Sequence, residues 1–228
     1  MTPVRAPLRR IHILGGPGAG KTTLAGHLAE ITGLPVHHLD EVARVGGGTG
    51  RVRDATERAP LVQAILDADR WITEGVHLGW TEPLLARADL VVWLDAVSGS
   101  QAAGLIAGRF VDGAWSELRR RSWRQRVTAV PGYARHTRDL AGAMIDARRY
   151  DRSSRAPDGT LPPPVSAEGT LDSRAATEAA LAPHLDRVVR CVTLAEIDAL
   201  VDHVAEDAAG ITPLPAAWSV VAPGSRRL

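Results

Sequence analysis

IHILGGPGAGKTT, the stretch from Ile11 to Thr23, reads as a short buried strand, a glycine-rich turn and the start of a helix. Within it, Gly15-x4-Gly20-Lys21-Thr22 fills the pattern G-x4-G-K-[ST]. A loop that wraps a polyphosphate needs positive φ and close backbone approach, which glycine tolerates. Gly15, Gly16, Gly18 and Gly20 supply that freedom, with Pro17 and Ala19 between them. Successive N–H groups then point inward, and the helix that begins near Lys21 adds its partial positive end. Lys21 is placed to reach β- and γ-phosphate oxygens. The Thr22 hydroxyl is placed to hold Mg²⁺ between them, with Thr23 closing the cradle.

The flanks agree with this reading. Ile11, Ile13 and Leu14 precede the turn, and Leu24, Ala25, Leu28, Ala29 and Ile31 follow at helical spacing. The chain has 27 basic residues, and all but Lys21 are arginine. Its one side-chain ammonium stands where a compact point charge is useful.

The 228 residues suit one domain of moderate size with a real core. A net charge of +1 gives no global basic field of the kind nucleic-acid binding asks for. Cys191 is the only cysteine, so there is no disulfide framework, which fits a reducing cytoplasm. No apolar run approaches the ~18 residues of a membrane span.

Strands are expected at Arg10–Leu14, Pro35–Asp40, Trp71–Gly75, Leu90–Asp95 and Val188–Val192. Helices are expected at Lys21–Thr32, Ala55–Ala68, Thr81–Arg87, Ser100–Arg109, Trp115–Arg126, Tyr133–Arg149, Ala175–Ala182 and Leu194–Val204. Residues 1–9 read as a lead-in, 45–53 as a glycine-rich basic loop and 151–174 as an aperiodic loop. Domain limits of 1–206 follow, with an insertion over about 110–187 and a disordered tail from 207 to 228. Alternating strands and helices with apolar strands argue for a parallel sheet covered on both faces. Ligands in such sheets bind beyond the carboxyl ends of the strands. That rule selects Asp40, Glu74 and Asp95.

Glu74 is the expected second acid of a phosphate site, holding the Mg²⁺ water shell from the strand beside the loop. Asp95 competes for that role. Asp40 lies farther out, where an acceptor would sit, and is the candidate orienting group or general base. His37 and His38 adjoin Asp40, but neighbours on a strand point to opposite faces and do not chelate together. Arg109, Arg119, Arg120, Arg121, Arg124 and Arg126 form a second basic feature, with Arg135 and Arg138 weaker members. Charge placed around a moving phosphoryl group is the chief demand of that chemistry, and arginine forks suit it.

The chain resembles the adenylate-kinase-like group of small phosphate-loop kinases, and within it the DNA topology modulation proteins. The resemblance rests on GGPGAGKTT at 15–23, VHHLD at 36–40, WITEGV at 71–76, ARADLVVWLD at 86–95 and IAGR at 106–109. It implies a three-layer α/β/α fold, a five-stranded parallel sheet in order 2-3-1-4-5 and a helical, arginine-rich lid. It also implies ATP with Mg²⁺ and an acceptor site over strands two and three. By position, Glu74 and Gly75 stand for the Asp-Gly that follows strand three in adenylate kinases, and Arg109 stands for the first lid arginine. The Pro-Arg that follows in those enzymes is replaced by His77 and Leu78.

The function expected is a cytoplasmic ATP-dependent kinase that moves the γ-phosphate to a small nucleotide-like or hydroxyl acceptor. The alternative is a nucleotide-binding regulatory or DNA-associated ATPase. A regulatory GTPase fails, since its Asn-Lys-x-Asp segment needs a second lysine, and no LSGGQ-like segment supports an ABC-type ATPase.

Overall fold

Five short strands lie side by side and all run parallel: β1 (Arg10–Gly15), β2 (Val36–His38), β3 (Trp71–Glu74), β4 (Leu90–Leu94) and β5 (Val188–Cys191). Their spatial order is β2-β3-β1-β4-β5. The structure is a computed structural model and describes residues 8–46, 50–95, Tyr150 and 173–210. Its helices are α1 (Lys21–Thr32), α2 (Leu39–Ala43), α3 (Ala55–Asp67), α4 (Glu82–Arg87), α5 (Arg174–Leu181) and α6 (Leu194–Ala208), with a 3₁₀ turn at Ala182–His184.

The strands are apolar on both faces because both faces are covered. Ile11, Ile13, Ile72, Val92 and Val189 point to one side, where Leu24 and Leu28 of α1 and Leu200 and Val204 of α6 close the layer. Leu14, Trp71, Val91, Trp93 and Val188 point to the other side. There α2 to α5 cover them through Leu39, Val62, Ile65, Leu84, Leu85 and Leu181. The result is a three-layer α/β/α fold. Leu28 is fully buried, and cutting a buried leucine of this kind to alanine costs about 2–5 kcal/mol.

Element boundaries shift where a local signal outweighs the apolar pattern. β2 stops at His38, because Leu39 opens α2 with Asp40 and Glu41 in its first turn. Acids are favoured there by the helix dipole. Asp40 therefore belongs to a helix start and not to a strand end. The described residues at the two ends of the 45–53 stretch are pinned as well. Arg44 and Val52 form an antiparallel bridge, and the Arg53 guanidinium donates to the carbonyls of Glu41, Val42 and Arg44.

α5 falls inside the stretch expected as an insertion, yet it packs on the sheet. Ser173 caps it by accepting from the Ala176 amide at 3.0 Å, and Ala175, Ala176, Thr177 and Leu181 are buried. α6 starts with a Thr193–Glu196 capping box and runs four residues past the expected Val204. Its Asp207 is buried and accepts from the Leu8 amide at 2.8 Å. The helices expected between 100 and 149, the arginine-rich lid and residues 211–228 lie outside the described residues. Among the described residues, no helix is long and apolar enough to cross a membrane.

Candidate phosphate and acceptor site

The turn after β1 is shaped by three glycines with positive φ, namely Gly15, Gly18 and Gly20. At Gly15 a Cβ would stand 2.7 Å from the Leu94 carbonyl oxygen, so β4 forbids any side chain. Gly16 is needed for a different reason. A Cβ there would meet the Tyr150 ring at 2.7 Å. Tyr150 is buried against the turn, accepts from Trp93 Nε1 at 3.3 Å and donates to Thr177 Oγ1 at 3.1 Å. That environment pushes its phenol up to about 12, chiefly through burial.

Gly20 is the N-cap of α1 and offers no side chain to the first-turn amides. Those amides are left facing the turn, as an anion site requires. The Lys21 ammonium donates to the Gly16 carbonyl at 3.1 Å, which folds it back over the loop. Pro17 and Ala19 complete the turn, with the Ala19 amide on the Gly16 carbonyl at 3.2 Å. Thr22 and Thr23 occupy the first turn of α1.

Sheet register brings the acids to this loop. Glu74 pairs with Ile13 on one side and His38 on the other. It is buried, and its Oε1 accepts from the Thr22 hydroxyl at 3.2 Å and from His38 Nδ1 at 2.8 Å. A hydroxyl and a carboxylate converging at the start of α1 are hard oxygen donors of the kind Mg²⁺ takes, a metal that keeps most of its waters. Among the described residues, no group of three or more His, Cys, Asp or Glu side chains is placed to hold a metal. Burial and then the neighbouring His38 lower the pKa of His37.

Asp40 is also paired with a histidine, one from the loop that follows β3. His77, three residues past β3, donates through Nε2 to Asp40 Oδ1 at 2.7 Å. A carboxylate only accepts, so Nε2 carries the proton. The Asp40 side chain is 74% exposed. Its pKa is lowered first by this hydrogen bond and then by the charges of His77, Lys21 and Arg44, against a smaller desolvation penalty. His77 has φ +36°, the only positive value outside glycine among the described residues. Its ring lies 5.2 Å from that of Trp80 at 28°, and the Arg58 guanidinium sits 5.1 Å from the Trp80 ring. The two pairs cross: Glu74 at the end of β3 is held by His38 of β2, and Asp40 at the start of α2 is held by His77 from the loop after β3.

Asp95 is fully engaged elsewhere. Arg174 donates Nε and Nη2 to its two oxygens at 2.8 and 2.7 Å, and Arg190 donates the same pair to Oδ2 at 2.9 and 2.6 Å. The Asp95 side chain is 5% exposed, so the metal role expected to compete with Glu74 is closed to it. Deeper under the loop, His12 is fully buried and bonded through Nδ1 to Thr73 Oγ1 at 2.6 Å. Burial, then His77, lowers its pKa to about 3, so it stays neutral. Burial pushes the Cys191 thiol up to about 12 and leaves it inert.

Of the expected site residues, the structure gathers Gly15 to Thr23, Glu74 and Asp40 at one end of the sheet. Arg109 and the arginines from 119 to 138 lie outside the described residues. His77, Trp80 and Tyr150 were not singled out by sequence reasoning. The signal available for His77 was its position just past Glu74 in a strand expected to adjoin β2.

No family model matches the chain. Among solved structures it is similar to a candidate kinase from Chloroflexus aurantiacus, at 19% identity and TM-score 0.39, over 88% of this chain and 98% of that one. It is similar to a sugar kinase from Janibacter sp., at 16% identity and TM-score 0.33, over 77% and 93%. It is also similar to shikimate kinase from Acinetobacter baumannii, at 25% identity and TM-score 0.33, over 43% of this chain. The chain spans 59% of the length of that shikimate kinase.

Proposed function

We propose that this chain is a Mg²⁺-dependent kinase that transfers the γ-phosphate of ATP to a small-molecule acceptor. One observation carries the reading: the glycine turn, the Lys21 ammonium, the Thr22–Glu74 contact and Asp40 share one edge of a parallel sheet. The amides of Gly16 to Gly20 and of the first turn of α1 cradle the phosphates. Lys21 neutralises charge on the transferring group. Thr22 and Glu74 would hold Mg²⁺ between them, and the bound ion would screen the β- and γ-oxygens. Asp40 stands on the acceptor side, and Arg109 is assigned to the transferring phosphoryl group by the resemblance alone.

The test is ADP release by the full chain with Mg·ATP against nucleosides, nucleotides, sugars and aminoglycoside-like hydroxyl compounds, with Lys21→Ala as the blank. A compound that raises ADP release well above the water rate establishes the kinase. Tight ATP binding with no stimulation by any compound overturns it in favour of a nucleotide-binding regulator.

A further inference from the structure

Phosphoryl acceptors fall into two chemical classes. A phosphate oxygen is already anionic near neutral pH and asks for cations around it but no base. An alcohol oxygen is neutral, and transfer to it releases a proton that a positioned group must take.

We propose that the acceptor is a neutral hydroxyl compound, that Asp40 is the base that takes its proton, and that His77 is the positioning residue that aims Asp40. The inference rests on the kinase reading above and narrows it.

Three features of the acceptor end carry it. The Asp40 carboxylate is exposed yet held in one orientation, with Oδ1 on His77 Nε2 at 2.7 Å. Among the described residues, no side chain takes Oδ2. The holding residue is strained: a histidine at φ +36° persists only where its surroundings fix it, here by the stack on Trp80 and the bond to Asp40. Finally, among the described residues the basic side chains around α2 and α3 each donate to backbone carbonyls. Arg44 donates to the Gly50 carbonyl, Arg53 to the carbonyls of Val42 and Arg44, and Arg58 to that of Arg53.

A phosphate acceptor beside Asp40 would meet an ionised carboxylate. Like charges at such range repel. A hydroxyl meets the same carboxylate as a hydrogen-bond donor. Among the described residues, the charged groups that act on Asp40 are His77 after β3, Lys21 at the start of α1 and Arg44 at the end of α2. Lys21 among them places Asp40 at the phosphate end.

The step balances. The acceptor oxygen bonds to the γ-phosphorus as the bond from that phosphorus to the bridging oxygen of ADP breaks, and ADP leaves with the electron pair. The hydroxyl proton passes to Asp40 Oδ2, and Asp40 later returns it to solvent.

The test compares two probe sets with Mg·ATP and the full chain: glycerol, erythritol, ribose and myo-inositol on one side, AMP, CMP and inorganic phosphate on the other. Phosphorus NMR separates a phosphate ester from an anhydride. An ester from the first set supports the inference. An anhydride from the second set overturns it and leaves the kinase reading standing. ADP release stimulated by neither set overturns the inference, and if no compound of the wider panel stimulates either, the kinase reading falls with it.

Variants test the positioning. Asp40→Asn should cut transfer about 100-fold, and His77→Ala about 10-fold, both with KM for ATP within about twofold. His77→Gln keeps a donor at the Nε2 position and should recover most of the loss. A carbon-13 titration of the Asp40 carboxyl from pH 3 to 7 needs no acceptor. Its midpoint should rise in His77→Ala and stay low in His77→Gln. An unmoved midpoint in His77→Ala overturns the positioning role.

Discussion

His38, the last residue of β2, donates through Nδ1 to Glu74, the last residue of β3, across 2.8 Å, and the Thr22 hydroxyl reaches the same carboxylate oxygen. The imidazole and the hydroxyl share that one oxygen, which ties the end of β3 to β2 and to the start of α1. Glu74→Gln should raise the Mg²⁺ needed for half-maximal ATP turnover, with a loss of about 10- to 100-fold at low Mg²⁺ that excess metal partly restores. Asp95→Asn should leave the Mg²⁺ dependence unchanged, because Arg174 and Arg190 already hold that acid. Mg²⁺ titrations of both variants separate the two acids. An unchanged Glu74→Gln curve would remove Glu74 from the metal site.

Lys21→Ala should lower ATP turnover by about 100-fold or more while the melting curve stays near that of the unmodified chain. Lys21 is part-buried over the turn and donates to the Gly16 carbonyl, so its loss removes charge without opening the core. Near-normal turnover in that variant contradicts the phosphate-loop assignment.

Gly15 and Gly20 are both left-handed but differ in surroundings. Gly15→Ala drives a methyl to within 2.7 Å of the Leu94 carbonyl, whereas nothing lies within 4 Å of the same atom at Gly20. Gly20→Ala should cost about 1–2 kcal/mol, the backbone strain alone. Gly15→Ala should cost that plus about 1–3 kcal/mol of overpacking. Urea unfolding of the two variants gives the order, and equal losses would show that β4 yields at that contact.

His12 makes stability depend on pH. Its folded pKa is lowered to about 3 from 6.5. Between those values the unfolded chain binds the proton and the folded chain does not, so stability falls as pH drops from about 6.5 toward 3 and levels off below. Near pH 5 the expected loss from this group is about 2 kcal/mol relative to pH 7. His12→Gln cannot titrate and retains a partner for Thr73. Its denaturation midpoint should vary less between pH 7 and pH 5, and an equal slope would refute the assignment.

The strand, glycine turn and helix from Arg10 to Thr32 were legible because their signals are local: an apolar run, glycines at fixed spacing and a helical apolar period within one unit. The layers were legible because apolar runs mark strands covered on both faces. The sheet order came from the family resemblance. What the sequence hid depends on pairs distant along the chain. Asp95 reads as a ligand-binding strand end until Arg174 and Arg190, 79 and 95 residues away, are seen to neutralise it. Asp40 reads as the end of a strand, because a five-residue helix such as α2 leaves too few turns for periodicity to declare itself. The His77–Asp40 and His38–Glu74 pairs require the β2–β3 register, which no single segment encodes.

The Lys21 ammonium folded onto the Gly16 carbonyl is also the only side-chain amine in the protein. Side-chain acylation therefore has one address on this molecule, and that address is the glycine turn after β1. Acylation of Lys21 and its protection by a bound nucleotide are read from one peptide. Immobilisation through lysine side-chain amines would block the same residue in every copy.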